Sequence, residues 1–138
     1  MNSRFNTTNY NEESSYLQKY PEILDIFKVF EMGAKKHGDE GWLQNDSPTM
    51  SLKKNSDSRF HHLAKTFSGE VLDESGLDHD LHIACRSIMS YIRRQRGIVH
   101  PDDKKPEYQH QKMTGENCIS IEENLERHKN SPYYRGEE

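Results

Sequence analysis

The stretch Leu81-His82-Ile83-Ala84-Cys85-Arg86-Ser87-Ile88-Met89-Ser90-Tyr91-Ile92-Arg93-Arg94-Gln95-Arg96-Gly97 decides the fold. Leu81, Ala84, Cys85, Ile88, Met89 and Ile92 recur at intervals of three and four, which gathers them into one stripe of an α-helix. Arg93, Arg94 and Arg96 suit the carbonyl end of that helix, where the macrodipole is negative, and Gly97 is a natural stop. Upstream, Phe60, Leu63, Ala64 and Phe67 repeat the pattern and predict a second helix, starting near Ser56 to Ser58 and ending or loosening at Gly69. A further pattern opens at Pro21, whose missing N–H costs nothing in a first helical turn. It runs through Ile23, Phe27, Phe30 and Ala34, widened by Leu24 and Ile26, and closes near Gly38. No segment alternates apolar and polar residues long enough to predict a strand, and Gly41 to Asn55 reads as a long loop. The expected fold is all-α, a small bundle of three main helices.

Composition limits how large that bundle can be. The 138 residues are 31% hydrophobic and 30% charged, with a mean hydropathy of −1.10. Globular domains usually hold about 45–50% apolar residues, so the core can occupy only part of the chain. Residues 1–15 read as a flexible N-terminal tail, 16–100 as the helical domain and 101–138 as a polar C-terminal tail. Within the last segment only Ser120–His128 has a helical pattern. Helices of this size bury little, and chains with small cores gain stability by association, so a homo-oligomer is expected. Nineteen Lys and Arg against 23 Asp and Glu give a net charge of −4, which argues against general binding of nucleic acid. There is no apolar run long enough to span a membrane and no apolar leader after Met1, so a cytoplasmic protein is expected. Cys85 and Cys118 are too few for a disulfide framework, and Cys85 falls on the apolar stripe as a small core residue.

Ionisable groups concentrate at the hinge between the second and third patterns. Glu70, Asp73, Glu74, Asp78, His79, Asp80 and His82 lie there, with Ser75 and Gly76 making a turn among them. Crowded carboxylates repel unless a cation or protons intervene, and oxygen-rich clusters suit Mg²⁺ or Mn²⁺. A solvated charged turn is the competing reading. His79 and His82, three apart, share a helix flank with Arg86. Such a pair can ligate a transition metal, though zinc needs a third protein ligand, and a basic flank can instead hold phosphate. Of His61 and His62, one is expected to face the hinge and the other solvent. Lys35 and Lys36 close the first helix near Trp42, either as plain macrodipole partners or as a phosphate contact beside a stacking indole. Neither a glycine-rich dinucleotide fingerprint nor a P-loop is present, so phosphates would be held through metal and side chains.

Phe30-Glu31-Met32-Gly33-Ala34-Lys35-Lys36-His37-Gly38 with Trp42, then His62-Leu63, Gly69-Glu70, and Asp73-Glu74-Ser75-Gly76-Leu77 with His79 and His82, resemble the dATP/dGTP diphosphohydrolase N-terminal family, which is common in phages. The resemblance runs from about Phe30 to Gly97. It implies an all-α, metal-dependent nucleotide pyrophosphohydrolase, loosely related to the MazG-like enzymes. Such an enzyme would cleave a purine deoxynucleoside triphosphate to monophosphate and pyrophosphate. The resemblance makes Glu70, Asp73 and Glu74 ligands of Mg²⁺ or Mn²⁺, with Glu31 contributing from the first helix. It gives Glu70, His62 and His79 catalytic work, and brings Lys35, Lys36, Trp42, His82 and Arg86 to the nucleotide. If the gene is carried by a phage, the site of action is the host cytoplasm. His61 stands where that family is expected to have Arg, and Arg86 where a small polar residue is expected. The alternative is a catalytically inactive nucleotide-binding or protein-interaction helical module of phage origin.

Overall fold

A computed structural model of the chain describes residues 10–104 and 119–132. Among them are five α-helices: α1 Tyr10–Lys19, α2 Ile26–His37, α3 Leu52–Phe67, α4 His79–Gln95 and α5 Ile121–Lys129. Short 3-10 turns cover Pro21–Asp25, Gly41–Leu43 and Pro101–Asp103. No strand occurs among the described residues, only one isolated antiparallel bridge between Leu72 and Asp78. The chain divides into two compact units. Asn11–Lys112 carries α2 to α4 and the site discussed below; Met113–Glu138 belongs to the other unit, which contributes α5. The helix expected over Ser120–His128 is α5, capped by the Ser120 hydroxyl accepting from the Glu123 N–H at 3.0 Å.

One helix, α1, is additional to those expected, and another, α3, begins earlier than its apolar pattern suggests. α1 lies partly within the stretch read as a tail. No Gly or Pro interrupts it, Lys19 sits in its last turn, and the Tyr16 ring packs 4.7 Å from that of Tyr20. α3 starts at Leu52, because Ser51 rather than Ser56–Ser58 is its N-cap: the Ser51 hydroxyl accepts from the Lys54 N–H at 3.1 Å. The Leu52 N–H donates to the Asp103 carboxylate at 2.9 Å, which ties the start of α3 to the Pro101–Asp103 turn.

α4 is the central element. α3 runs antiparallel along it, since Asn55 donates to the Arg86 carbonyl while His62 meets His79. α2 packs on another side of α4. Buried apolar residues are few, Val29 from α2, Met50 from the loop and Cys85 from α4. The apolar stripe of α3 does not face this core, contrary to the sequence reading. Asn55, Arg59, His62 and Thr66 form its sheltered side, whereas Phe60, Leu63 and Phe67 are 67%, 53% and 94% exposed. The reason lies in α4, whose facing side carries the Arg86 carbonyl, Ser87 and His79, groups that require polar partners.

Both ends of the α3–α4 hairpin are closed by glycine. Gly69 takes φ +99°, with the Gly69 N–H on the Thr66 carbonyl and the Glu70 N–H on the Lys65 carbonyl. Gly97, at φ +70°, repeats this with Arg94 and Arg93. These are Schellman turns, and only glycine enters that backbone region without a steric penalty. The Gly41–Ser51 loop is not loosely held. Arg93, 3% exposed, donates to the carbonyls of Trp42 and Gln44 at 2.7 Å and of Asn45 at 3.2 Å. Arg86 donates to the Thr49 carbonyl at 3.2 Å. Arg93 therefore pins a loop instead of serving only the helix dipole.

Candidate active site

The hinge from Glu70 to Asp78 is fixed by its own backbone. The Asp73 N–H donates to the Leu77 carbonyl and the Gly76 N–H to the Asp73 carbonyl, both at 2.8 Å, while the His79 N–H reaches the Val71 carbonyl. Gly76 adopts φ +83°, as the turn requires. One Asp73 oxygen, Oδ1, accepts from the Ser75 N–H at 2.8 Å. The other, Oδ2, is left to face inward. Asp78 caps α4, its Oδ1 accepting from the Asp80 N–H at 2.7 Å, which sets His79 and His82 on the first turns of the helix.

Two imidazoles meet that inward oxygen, and a third, His79, joins them through His62. His82 Nε2 lies 3.2 Å and His62 Nδ1 4.0 Å from Asp73 Oδ2. The rings of His62 and His82 are stacked, 4.5 Å apart and within 4° of parallel. His62 Nδ1 is 2.8 Å from His79 Nδ1, and His79 Nε2 is 2.8 Å from Glu70 Oε2. The contacts set the protons: the Glu70 carboxylate can only accept, so His79 donates through Nε2 and presents a lone pair at Nδ1. Burial, followed by the neighbouring His82 and His79, lowers the His62 pKa to about 4. Burial likewise lowers that of His82. Burial pushes the Asp73 carboxyl upward, but the Ser75 N–H and the imidazoles outweigh it and hold the group below its ordinary value. At neutral pH His62 is thus a neutral imidazole beside the anionic Asp73 carboxylate.

His62, Asp73 and His82 open onto a cavity of about 630 Å³, within the range of roughly 300–1,000 Å³ typical of small-molecule sites. Its far wall comes from the end of α2 and the following loop, where the Phe30 and Trp42 rings pack edge to face at 5.8 Å. Lys36, Glu31 and Arg86 also line it. No carboxylate lies within ion-pair distance of Arg86 among the described residues. Burial, with Arg59 nearby, works against its charge. A guanidinium held this way on a cavity wall is a ready partner for an anion.

The structure gathers most, but not all, of the residues expected at the site. His62, Asp73, His79 and His82 come together, and Lys36, Trp42, Arg86 and Glu31 share the cavity. His62 is the inward histidine and His61 is exposed. Glu70 joins through His79, its half-exposed carboxylate bonded to the imidazole and outside the group able to hold an ion. Glu74 is exposed at the turn, and Lys35 is exposed and off the cavity wall. Ser75 was not singled out as a site residue, yet its hydroxyl lies 3.3 Å from His82 Nε2. Arg93 was missed as the anchor of the cavity-forming loop, although its seven-residue spacing from Arg86 places both on one helix face.

His62, Asp73 and His79 offer ligand atoms that all lie within 4.8 Å of one another. Donors about 2.1 Å from a shared ion lie roughly 3–3.5 Å apart, so small side-chain adjustments would let this set close on a divalent cation. Searches against curated proteins and against solved structures returned no match. A protein-family model does match, described as dATP/dGTP diphosphohydrolase, N-terminal, and it covers residues 17–99, including the whole of α2 to α4 and the hinge. The chain belongs to the dATP/dGTP diphosphohydrolase N-terminal family.

Proposed function

We propose that the chain hydrolyses a purine deoxynucleoside triphosphate, dATP or dGTP, to the monophosphate and pyrophosphate with the help of a divalent cation. The observation that carries this reading is the single cavity into which the Phe30–Trp42 pair, Arg86 (without a carboxylate at ion-pair distance) with Lys36, and the Asp73–His62–His82 cluster all open. A nucleoside triphosphate has those three parts: a flat base, a polyanionic chain and a site of attack. Phe30 and Trp42 would lie against the base, and Arg86 and Lys36 would hold phosphate oxygens. His62, Asp73 and His79 would hold the cation, which when bound offsets phosphate charge and acidifies water. Water adds at a phosphorus, the α–β bridging oxygen leaves with the pyrophosphate, and one proton must be taken up. That proton passes to solvent water, because His62, neutral at working pH, would spend its one lone pair on the cation and keep its proton on the other ring nitrogen.

The test is incubation of the full chain with each dNTP and a divalent cation, followed by separation of products. Monophosphate and pyrophosphate in equal amounts, chiefly from dATP or dGTP, are expected. Well-folded protein with no turnover of any dNTP under Mg²⁺, Mn²⁺ or Zn²⁺ would overturn the enzymatic reading. A second reading, nucleotide binding without hydrolysis, is favoured by one observation: the Glu70 carboxylate is spent on His79 and Glu74 is exposed, leaving one carboxylate among the imidazoles. Calorimetric binding of dATP or dGTP without product would support it.

We further propose that copies of the chain associate through the outer face of α3. Phe60, Leu63 and Phe67 support this, being an apolar stripe left largely exposed on α3.

A further inference from the structure

We infer that the cluster of His62, Asp73 and His79 takes a first-row transition ion in preference to Mg²⁺, and that Glu70 and His82 act as positioning residues for its ligands. The inference rests on the reading above that a divalent cation works in this cavity. It goes further by naming the class of ion and the division of labour.

The donor set carries the argument. Mg²⁺ takes oxygen ligands and keeps its waters, whereas imidazole nitrogen suits the borderline ions from Mn²⁺ to Zn²⁺. The sequence offers an acidic hinge, but folding withdraws Glu70 and Glu74 from the ligand positions and supplies two histidines instead. Nitrogen therefore outnumbers carboxylate two to one among the atoms able to converge.

Two of the three ligands, His79 and Asp73, also have the partners that metal ligands characteristically have. His79, 2% exposed, is held through Nε2 by the Glu70 carboxylate at 2.8 Å, so that Nδ1 is the nitrogen with a lone pair toward the cluster. A carboxylate behind a histidine in this way fixes the tautomer and raises the basicity of the ligating nitrogen. Asp73 is held at Oδ1 by the Ser75 N–H, at 2.8 Å, and at Oδ2 by His82 Nε2, at 3.2 Å. His62 Nδ1 faces His79 Nδ1 at 2.8 Å, where only one of the two nitrogens can carry a proton; an ion would replace that proton as the shared partner. Three protein ligands leave further positions for water or a phosphate oxygen on the cavity side.

The full chain, stripped with a chelator, would be titrated with Co²⁺ while visible absorption is recorded, and with Mn²⁺, Zn²⁺ and Mg²⁺ by calorimetry. One Co²⁺ per chain with d–d bands is expected, and Co²⁺ or Zn²⁺ binding about 100-fold or more tighter than Mg²⁺. His79→Ala should abolish the bands. Because His79 is buried and that variant can fail to fold, Glu70→Gln is the second test: its half-exposed carboxamide should leave the circular dichroism unchanged while weakening Co²⁺ about 10–100-fold. Glu70→Asp should recover part of the loss, and Glu74→Gln should bind as the parent does. Mg²⁺ binding as tightly as Co²⁺, or folded variants that keep full Co²⁺ affinity, would overturn the inference. Turnover of dNTP with Mg²⁺ and no Co²⁺ site would sink this inference and leave the proposed reaction standing. A His79-dependent Co²⁺ site without turnover under any metal would support it and remove the reaction.

Discussion

At the residue scale, Arg86 and Cys85 are neighbours with opposite roles. Arg86 spends one guanidinium nitrogen on the Thr49 carbonyl and carries no matching carboxylate, so the rest of its charge is available to the cavity. Hydrogen bonds to charged groups are worth about 1.5–3 kcal/mol, so Arg86→Ala should weaken dATP or dGTP binding about 10–100-fold by calorimetry, with Arg86→Lys intermediate. Cys85 is 1% exposed, and burial raises its thiol from 9.0 to about 11. It should therefore resist a thiol reagent at pH 8 until urea unfolds the chain, tested in a Cys118→Ser background. The protonated thiol is favoured in the fold, so its contribution to stability is intact below pH 9 and is lost as the pH rises from 9 through about 11. A fall in urea midpoint over that window, flattened in Cys85→Ala, checks the sign.

At the scale of the element, the ends of α3 have separable duties. Ser51 caps the start, far along the helix from the histidines, and Ser51→Ala should cost about 1 kcal/mol with cation binding untouched. Gly69 closes the other end at φ +99° and hands the chain directly to Glu70. Gly69→Ala should cost about 1–2 kcal/mol of backbone strain and, by displacing the Glu70 carboxylate from His79, also weaken Co²⁺ binding. Urea denaturation alongside Co²⁺ titration reads both. Equal loss of cation affinity in the two variants would show that helix stability, not the placement of Glu70, governs the site.

At the scale of the whole molecule, the polarity of α3 is inverted relative to its own unit. Its sheltered face is Asn55, Arg59, His62 and Thr66, and its apolar face is left outside. Exposed stripes of this kind mark association surfaces. Light scattering after gel filtration should give a mass of at least twice 16.2 kDa, and Phe60→Ser with Phe67→Ser should return the chain to monomer. A monomeric parent would remove the proposal.

Periodicity and punctuation were enough to predict α4, α5 and α2 (whose expected first turn at Pro21 is a 3-10 turn), the stops at Gly38, Gly69 and Gly97, and the lack of strands among the described residues, because those depend on neighbours within one helical turn. Composition foretold a small core for the same kind of local reason. The hinge, too, stood out as the place where chemistry gathers. Which of its groups meet was settled only by tertiary structure. Asp73 and Glu74 are adjacent in the chain, yet the turn sends one inward and the other to solvent. His62 reaches His79 and His82 only because α3 and α4 run antiparallel. The inward face of α3 was misread because an apolar stripe predicts burial but not the partner that supplies it. Here α4 presents polar groups to α3, and the cost of leaving such groups unpaired outweighs the burial of three apolar side chains.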